Sequence, residues 1–366
     1  MKAVVLVGGQ GSRLRPITYD VPKAMVPLRN RPFMRYMIDF LMVGGLDGVV
    51  LSLGYLPDPI KEYFDSQDLN GFSIDYAVED NPLGTAGGIK NAERYLDGDP
   101  LVVVNGDVLS GMDLRVAIEK HEASDALATI VLTSVEDPTA YGLVEVDHDM
   151  LVHRFIEKPA ADEITTNLVN AGIYVLEPEV LSMIPEGQEV SIEREVFPHL
   201  QAEGRLRAYV SSSYWRDIGT PRSYLAASHD VLSGAVGARE DFDYFRVDPS
   251  VVLGKGVKVL PPVSVAADCI LKDGATVGGR SSLGRGCEIG EGAVVEGSIL
   301  FDGVVVEPGA TVRGSIVGPD ARVAQDAIVR GLSVLGARCV VGEGNVLDQG
   351  IRINPGVVLP PRSMSF

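Results

Sequence analysis

Short apolar runs alternate with amphipathic stretches over about the first 230 residues of the chain. Continuous aliphatic runs indicate strands that are buried on both faces, and apolar positions three and four residues apart indicate amphipathic helices. Strands are predicted at 3–7, 49–53 and 72–78, and helices at 32–43, near Pro59 and at 89–96. Strands that alternate with helices predict an α/β domain with a mostly parallel sheet, in which ligands bind beyond the carboxyl ends of the strands.

A different period begins near residue 251. Every sixth residue from Leu253 onward is Leu, Ile or Val, with two five-residue steps, and nineteen positions follow this rule. They are Leu253, Val259, Val265, Leu271, Val277, Leu283, Ile289, Val295, Leu300, Val306, Val312, Val317, Val323, Val329, Leu335, Val341, Leu347, Ile353 and Leu359. A six-residue period is typical of a parallel β-helix, with one inward aliphatic side chain on each of three sides and about eighteen residues in a coil. We expect about six coils, with Gly278, Gly290 and Gly342 at the turns that follow inward positions.

These patterns divide the chain into two predicted domains. We expect an α/β domain over 1–232, a linker over 233–250 and a β-helix over 251–366. The linker begins with the small residues at 233–237, which favour a flexible connection.

Composition and charge exclude several classes of protein. The net charge of −18 argues against a nucleic-acid partner, because binding a phosphate backbone requires clustered Lys and Arg. Cys269, Cys287 and Cys339 form no CxxC pair, so neither a disulfide framework nor a zinc site is indicated. The N-terminus lacks the pattern of a signal peptide, and no apolar run approaches the ~20 residues of a membrane span. We therefore expect a cytoplasmic protein that does not contact a membrane.

A glycine-rich loop follows the first predicted strand. Gly8, Gly9 and Gly11 allow a sharp turn and a close approach to a ligand, and their amide groups can face phosphate oxygens. Ser12 and Arg13 follow, and guanidinium groups suit the recognition of phosphate. The pattern is neither a Walker loop nor a dinucleotide fingerprint, since Leu14 stands where the latter needs its third glycine. We interpret the loop as a site for a nucleoside triphosphate; the alternative is an ordinary turn.

Three further charged residues are candidates for phosphate and metal chemistry. Lys23 follows Pro22, which restricts the backbone, although a lone lysine is more often a solvated surface residue. Asp107 follows an apolar run at 101–104, and Asp217 lies in a second turn. Carboxylates beside a triphosphate are candidate Mg²⁺ ligands, whereas each of these turns taken alone is more simply a turn.

Two other stretches have the composition of substrate-binding segments. The small residues Gly84, Thr85, Gly87 and Gly88 would let a flat nucleobase approach the backbone; alternatively, Thr85 is a helix N-cap. The second group comprises Gly142, Glu157, Lys158 and Asn170. Glu157 and Asn170 could bind sugar hydroxyls and Lys158 a sugar phosphate, while the simpler interpretation of Glu-Lys-Pro is a charged turn.

These motifs together resemble those of the sugar-1-phosphate nucleotidyltransferase family. The matching segments occur in the order typical of that family and lie at 8–16, 22–23, 83–88, 106–107, 157–159, 170–172 and 215–220. The stretches at 105–111 and 191–198 favour the mannose-1-phosphate guanylyltransferases, a group within the family. The departures are Ser12 where Thr is usual and Ala24 where Pro is usual.

The resemblance implies a Rossmann-like nucleotidyltransferase domain followed by a left-handed β-helix, and it implies an activity. A nucleotidyl group would pass from GTP to mannose 1-phosphate with release of pyrophosphate and with Mg²⁺ as cofactor. Its catalytic residues would be Arg13, Lys23, Asp107, Lys158 and Asp217, with the metal on Asp107 and Asp217. Nucleotide contacts would come from Gly8, Gly9, Gly11, Ser12, Gly84, Thr85, Gly87 and Gly88, and sugar-phosphate contacts from Gly142, Glu157, Lys158 and Asn170.

Alternatives remain open at this point. Glucose-1-phosphate thymidylyl- or uridylyltransferase activity would use the same motifs with another base and sugar. A non-catalytic regulatory subunit that binds a sugar nucleotide is a second alternative, although all five charged residues are present. No histidine follows His229, so an acyltransferase activity of the β-helix is not expected. We expect this domain to serve oligomerisation, forming homo-oligomers, or regulation.

Overall fold

A computed structural model describes residues 1–236 and 242–365 of the chain. It contains two compact units. The first unit comprises Met1–Gln10 and Met34–Trp215, and the second comprises Gly11–Phe33 and Arg216–Phe366. Residues 237–241 of the predicted linker lie outside the described part of the chain. No helix among the described residues is long and apolar enough to cross a membrane.

The α/β pattern of the first part of the chain is confirmed. In chain order the elements up to residue 232 are β1 (Lys2–Val7), β2 (Pro27–Leu28), β3 (Arg31–Pro32), α1 (Phe33–Val43), β4 (Gly48–Leu53), α2 (Asp58–Asp65), β5 (Ser73–Val78), α3 (Gly84–Ala92), β6 (Leu101–Asn105), β7 (Val108–Ser110), α4 (Leu114–Glu122), β8 (Ala128–Ser134), β9 (Gly142–Val146), β10 (Val152–Glu157), β11 (Leu168–Leu176), α5 (Glu179–Ser182), α6 (Phe197–Ala202), β12 (Leu206–Val210), β13 (Trp215–Asp217) and α7 (Pro221–Leu232). A π-helical segment, Ile192–Val196, precedes α6.

The first unit is built on a nine-stranded sheet. Seven strands follow the order β10-β9-β11-β6-β1-β4-β5, and β8 pairs with β11 and β12. The expected parallel arrangement holds for β6-β1-β4-β5 and for β12 with β8, whereas β11 pairs antiparallel with β6, β8 and β9. Because β1 and β6 are parallel neighbours, Gly8 and Asp107 follow the carboxyl ends of adjacent strands.

The helix predicted at 89–96 begins earlier, so its predicted start was wrong. Helix α3 runs from Gly84 to Ala92 and continues as a 3₁₀ turn to Tyr95. Glycine disfavours a helix interior, which is why the glycine-rich stretch was expected to precede the helix. Ala86 and Ile89 are fully buried, and this tertiary packing overrides the low propensity of their neighbours.

The second unit contains the β-helix that the six-residue period predicts. One sheet consists of β14 (Phe245–Val247), β17 (Val263–Val265), β20 (Ser281–Leu283), β23 (Ile299–Leu300), β26 (Ile316–Val317), β29 (Val334–Leu335) and β32 (Arg352–Ile353). The second consists of β15 (Val252–Leu253), β18 (Ile270–Leu271), β21 (Glu288–Ile289), β24 (Val305–Val306), β27 (Arg322–Val323), β30 (Val340–Val341) and β33 (Val358–Leu359). The third consists of β16 (Lys258–Val259), β19 (Thr276–Gly278), β22 (Val294–Glu296), β25 (Thr311–Arg313), β28 (Ile328–Val329) and β31 (Val346–Leu347).

The inward positions of the β-helix are confirmed. All predicted inward residues from Val265 to Ile353 are buried, and only the end positions at 253, 259 and 359 are partly or largely exposed. The three cysteines are free and buried in the same domain. A Cβ atom at Gly278, Gly290 or Gly342 would lie about 2.5 Å from an atom of a residue 17 or 18 positions away along the chain. These glycines are therefore needed because stacked coils approach each other closely at these positions, and not because the backbone adopts an unusual angle there.

Candidate active site

Three of the predicted catalytic residues lie together in the second unit. The Nζ atom of Lys23 is 3.8 Å from Oδ1 of Asp217, and the two side chains are only 14% and 17% exposed. A Cβ atom at Gly219 would lie 2.7 Å from Nη2 of Arg13 and 2.9 Å from Oδ1 of Asp217. Gly219 therefore leaves the space in which these charged groups come together, and the cluster joins two cations to one carboxylate.

The local backbone explains how Arg13 and Lys23 are held. Gly11 adopts a left-handed conformation, with φ 61°, and directly precedes the 3₁₀ turn Ser12–Leu14. The Thr18 hydroxyl donates a 2.8 Å hydrogen bond to the Gly11 carbonyl, and a Cβ atom at Gly11 would lie 3.0 Å from Cγ2 of Thr18 and 3.2 Å from Cβ of Lys23. No sequence motif marks Thr18, whose hydroxyl holds the carbonyl group of the loop residue Gly11.

In the first unit, Glu79 joins the two stretches that were predicted to bind nucleotide. Its carboxylate accepts hydrogen bonds from the Ser52 hydroxyl at 2.7 Å and the Leu83 amide at 3.2 Å. A Cβ atom at Gly8 would lie 3.4 Å from this carboxylate, and one at Gly88 would lie 3.0 Å from it. Glu79 is therefore a site candidate that the sequence analysis missed, since it follows β5 without any glycine or motif to mark it.

Gly84, Thr85 and Gly87 make contacts within the first unit. A Cβ atom at Gly84 would lie 2.6 Å from the Val190 carbonyl oxygen, and one at Gly87 would lie 2.4 Å from the Gln188 carbonyl oxygen. These two glycines thus permit α3 to approach a neighbouring loop. By contrast, a Cβ atom at Gly9 would meet no atom within 4 Å.

Thr85 belongs to a hydrogen-bond network around Glu193. The Thr85 hydroxyl donates to Oε2 of Glu193 at 2.8 Å and accepts from the Ile192 amide at 2.8 Å. Thr85 therefore makes tertiary contacts, and the alternative interpretation as an N-cap is wrong, since Leu83 holds that position. The Ser191 hydroxyl donates to the same carboxylate oxygen at 2.8 Å, and the Tyr174 hydroxyl donates to Oε1 at 3.2 Å. Glu193 thereby connects α3 to β11.

The predicted sugar-binding residues adjoin this network. The Asn170 side chain donates to the Tyr174 hydroxyl at 2.8 Å and accepts from the Gly172 amide at 2.8 Å. A Cβ atom at Gly142 would lie only 2.9 Å from Oε2 of Glu157, so the absence of a side chain at Gly142 leaves space for this carboxylate. Burial raises the pKa of Glu157, and the negative charge of nearby Glu193 raises it further.

Lys158 and Asp107 also lie in the first unit. Lys158 is exposed and has a positive φ of 54°, a conformation that costs a non-glycine residue free energy and is found at functional sites more often than elsewhere. Its amide donates to the Tyr141 carbonyl at 3.1 Å. Asp107 is partly buried and follows Gly106, whose amide donates to the Leu6 carbonyl at 2.9 Å. This hydrogen bond fixes the backbone beside Asp107 to the end of β1.

Family models match both parts of the chain. Residues 2–234 match the nucleotidyl transferase model, and residues 259–365 match the GMPPB C-terminal domain. The chain belongs to the nucleotidyl transferase family. This confirms the family that the sequence motifs indicated and the enzyme class, a sugar-1-phosphate nucleotidyltransferase.

Two mannose-1-phosphate guanylyltransferases are similar to this chain over most of their own length. A mannose-1-phosphate guanylyltransferase of Mycobacterium tuberculosis is 39% identical over 304 residues, which cover 82% of this chain and 80% of the relative. A mannose-1-phosphate guanyltransferase of Pichia angusta is 35% identical over 383 residues, covering 100% and 97%. Among solved structures, HddC from Yersinia pseudotuberculosis, also crystallised with GMP-PN, has a TM-score of 0.56 at 31% identity and covers 63% of this chain and 99% of its own.

Enzymes of this family generally use a divalent metal ion. The predicted ligands have the appropriate chemistry, because Asp107 and Asp217 supply the carboxylate oxygens that hard cations prefer. Both side chains are partly buried, and Asp217 already lies beside the ammonium group of Lys23. Each of these two carboxylates, taken by itself, therefore has the chemistry of a divalent-cation ligand.

Proposed function

We propose that this chain transfers a guanylyl group from GTP to mannose 1-phosphate, forming GDP-mannose and pyrophosphate. An oxygen of the sugar phosphate attacks the α-phosphorus, and the bond between that phosphorus and the oxygen bridging to the β-phosphate breaks. Because the nucleophile is already an anion, no covalent enzyme intermediate is required. Catalysis then consists of positioning the two substrates and stabilising charge on the leaving pyrophosphate.

The cluster of Arg13, Lys23 and Asp217 is the observation that carries this proposal. We assign Arg13, with the amides at Gly8, Gly9, Gly11 and Ser12, to the departing pyrophosphate. Lys23 is assigned to the α-phosphate. Asp107 and Asp217 would hold Mg²⁺, which when bound neutralises phosphate charge.

The sugar phosphate is assigned to residues of the first unit. Lys158 would bind its phosphate, while Glu157 and Asn170 would bind hydroxyl groups beside Gly142. The half-buried carboxylate of Glu157 suits this role, since a carboxylate is an acceptor for hydroxyl donors and burial strengthens such hydrogen bonds. The stretch Gly84, Thr85, Gly87 and Gly88 would lie beside the base.

Glu79 supports the choice of guanine. Guanine offers adjacent N1–H and N2–H donors that a carboxylate can accept together, whereas uracil and thymine offer one N–H between two carbonyl oxygens. Glu79 lies beside Gly8 and Gly88, two residues assigned to the nucleotide. A carboxylate here would attract guanine and repel the carbonyl oxygens of the pyrimidine bases.

A matrix of nucleoside triphosphates against sugar 1-phosphates, measured by pyrophosphate release with Mg²⁺, tests the proposal. GTP with mannose 1-phosphate should give the highest kcat/KM; a higher value for dTTP or UTP with glucose 1-phosphate would overturn the choice of base and sugar. Release with no pair would favour the non-catalytic subunit.

In the same matrix, Glu79→Gln should reduce the preference for GTP over UTP by ~10-fold or more, the scale of a lost bidentate base contact. The neighbouring exposed Asp80→Asn is the control.

A homo-oligomer formed through the β-helix and a cytoplasmic location remain predictions of the sequence. Size-exclusion chromatography with light scattering measures the first, and fractionation of cells measures the second.

A further inference from the structure

One face of the β-helix is buried although its side chains point away from the interior. In the sheet that contains β17 and β32, the residues that precede the inward positions form an outward row. From one end to the other this row is Arg246, Ser264, Ser282, Ile299, Ile316, Val334 and Arg352. Its five central members are at most 1% exposed. The equivalent outward residues Val252, Ile270 and Val358 of the second sheet are 58%, 41% and 64% exposed, so protein covers the first face specifically.

The cover belongs to the same unit. It includes Gly11–Phe33, called here the loop segment, and helix α7. The Asn30 side chain donates to the Ser264 hydroxyl at 3.1 Å and accepts from the Ser282 hydroxyl at 2.8 Å. These two serines stand in register on adjacent strands, so both polar ends of Asn30 are satisfied on this buried face.

The other end of the same row contacts the part of the loop segment that carries Arg13. Nη1 of Arg352 donates to the carbonyl oxygens of Arg13 and Arg15, each at 3.1 Å. Arg338 donates to the Asp20 carboxylate at 2.9 Å. Asp20 lies in sequence between Arg15 and Asn30, the other contact points of the loop segment with the β-helix. The β-helix therefore binds the loop segment near its start, its middle and its end.

These contacts act on the backbone from which Arg13 projects. One guanidinium nitrogen that binds the carbonyls at 13 and 15 fixes the orientation of both peptide groups, and Leu14 between them is buried. Hydrogen bonds from a charged donor are stronger than neutral ones, and an arginine side chain holds its donors in a rigid plane. A catalytic side chain depends on such support, because a displacement of ~1 Å can cost ~10²-fold in rate.

We infer that the β-helix positions the phosphate-binding arginine, with Arg352 acting as a positioning residue through the Arg13 backbone. The C-terminal domain then contributes to the chemistry of the nucleotidyl transfer in addition to any role in assembly. This inference rests on the proposed function of Arg13.

The test compares Arg352→Gln with Arg330→Gln in the full-length protein. Arg330 is a matched control, because it is an arginine of the same β-helix that pairs with Asp348 at 2.7 Å. Arg352→Gln should lower kcat for pyrophosphate release by ~10-fold or more, equivalent to ~1.4 kcal/mol of transition-state stabilisation. The two variants should have similar melting temperatures. A kcat for Arg352→Gln equal to that of the control would overturn the inference.

A double mutant separates positioning from general destabilisation. If Arg352 acts through Arg13, then adding Arg352→Gln to Arg13→Ala should cost little beyond Arg13→Ala alone. An equal fold-loss in both backgrounds would show that Arg352 acts independently of Arg13, contrary to the inference.

A failure of the proposed function would be recognised separately. If the unmodified protein releases no pyrophosphate with any substrate pair, amide hydrogen exchange of 11–15 still measures the positioning. Faster exchange in Arg352→Gln than in Arg330→Gln would support it, and equal exchange would contradict it.

Discussion

Gly219 determines how closely the charged groups of the second unit approach one another. A methyl group there would lie within 3 Å of both Arg13 and Asp217, so even alanine would separate the guanidinium from the carboxylate. The backbone of this glycine needs no left-handed conformation. This glycine is needed because a side chain would not fit between the two charged groups. A sequence pattern alone cannot distinguish a glycine that provides space from a glycine that allows a turn.

Arg13→Ala should lower kcat by ~10²-fold or more, because it removes a donor aimed at the charge that develops on the leaving pyrophosphate. Steady-state pyrophosphate release measures this effect, and a thermal melt establishes that the variant is folded. Arg222→Ala is the control, since Arg222 is an exposed arginine of α7 in the same unit. A folded Arg13→Ala protein with near wild-type turnover would refute the role.

Glu157 should give the binding of the sugar phosphate a distinctive pH dependence. Burial and the charge of Glu193 raise its pKa above the ordinary value of 4.5, so the carboxylate is lost at a higher pH than in an exposed glutamate. As the pH falls through this raised pKa, KM for mannose 1-phosphate should rise. Glu157→Gln should have a raised KM that lacks this transition.

Comparison of the two proteins at each pH cancels the titration of the substrate itself, and KM for GTP is the internal control. Ionising Glu157 also opposes folding, because the folded state binds its proton more tightly than the unfolded state does. Stability should therefore decrease as the pH rises from the ordinary pKa of 4.5 to the raised pKa of the folded state, and Glu157→Gln should have a higher melting temperature at neutral pH. An identical KM profile in both proteins would show that Glu157 does not contact the sugar.

At the scale of elements, α3 depends on glycines for its position. Gly87→Ala would place a methyl group 2.4 Å from a backbone oxygen that cannot move without displacing the loop at 188–190. We expect a loss of ~1–3 kcal/mol in the free energy of unfolding, the usual cost of overpacking. Gly9→Ala has open space around its Cβ atom and should leave stability nearly unchanged.

The two variants should separate stability from nucleotide binding. If Gly9 approaches the triphosphate, then Gly9→Ala should raise KM for GTP while chemical denaturation shows wild-type stability. Equal destabilisation by both substitutions would show that the space beside Gly9 is not available in solution.

The β-helix and helix α3 differ in how far their structures could be predicted from nearby residues in the sequence. The six-residue period of the β-helix could be predicted because each inward residue repeats the environment of the one before it. The start of α3 at Gly84 could not, because its glycines pack against residues about one hundred positions further along the chain. Glu79 and Glu193 also escaped prediction as site residues. Glu79 accepts a hydrogen bond from Ser52, 27 positions earlier, and Glu193 accepts one from Thr85, 108 positions earlier, and contacts across such separations leave no local pattern.

At the scale of the whole molecule, the compact units do not follow the order of the chain. The loop segment lies between two parts of the first unit in sequence, yet it belongs to the same unit as the β-helix. Arg13 and Lys23 are therefore held by a scaffold whose sequence begins more than two hundred residues later. Because the loop segment packs on the β-helix, the activity of the enzyme should require a folded β-helix.

Leu300→Ala tests this dependence. Leu300 is 1% exposed inside the sheet whose outer face holds the loop segment, and we expect a loss of ~2–5 kcal/mol from truncation of a buried leucine. Leu253→Ala is the matched control, because Leu253 occupies the same kind of inward position at the first coil but is 54% exposed. Its effect should stay within about 0.5 kcal/mol, as for most surface substitutions.

Heating each variant while following circular dichroism and residual pyrophosphate release links the two properties. Since coils of a solenoid stabilise their neighbours, the loss of one central leucine should lower the melting temperature of the β-helix as a whole. Activity should disappear over the same temperature range, because the carbonyls of Arg13 and Arg15 lose their donor when β32 unfolds. Activity that persists in Leu300→Ala above the temperature at which the β-helix has melted would show that the loop segment holds its conformation without that support.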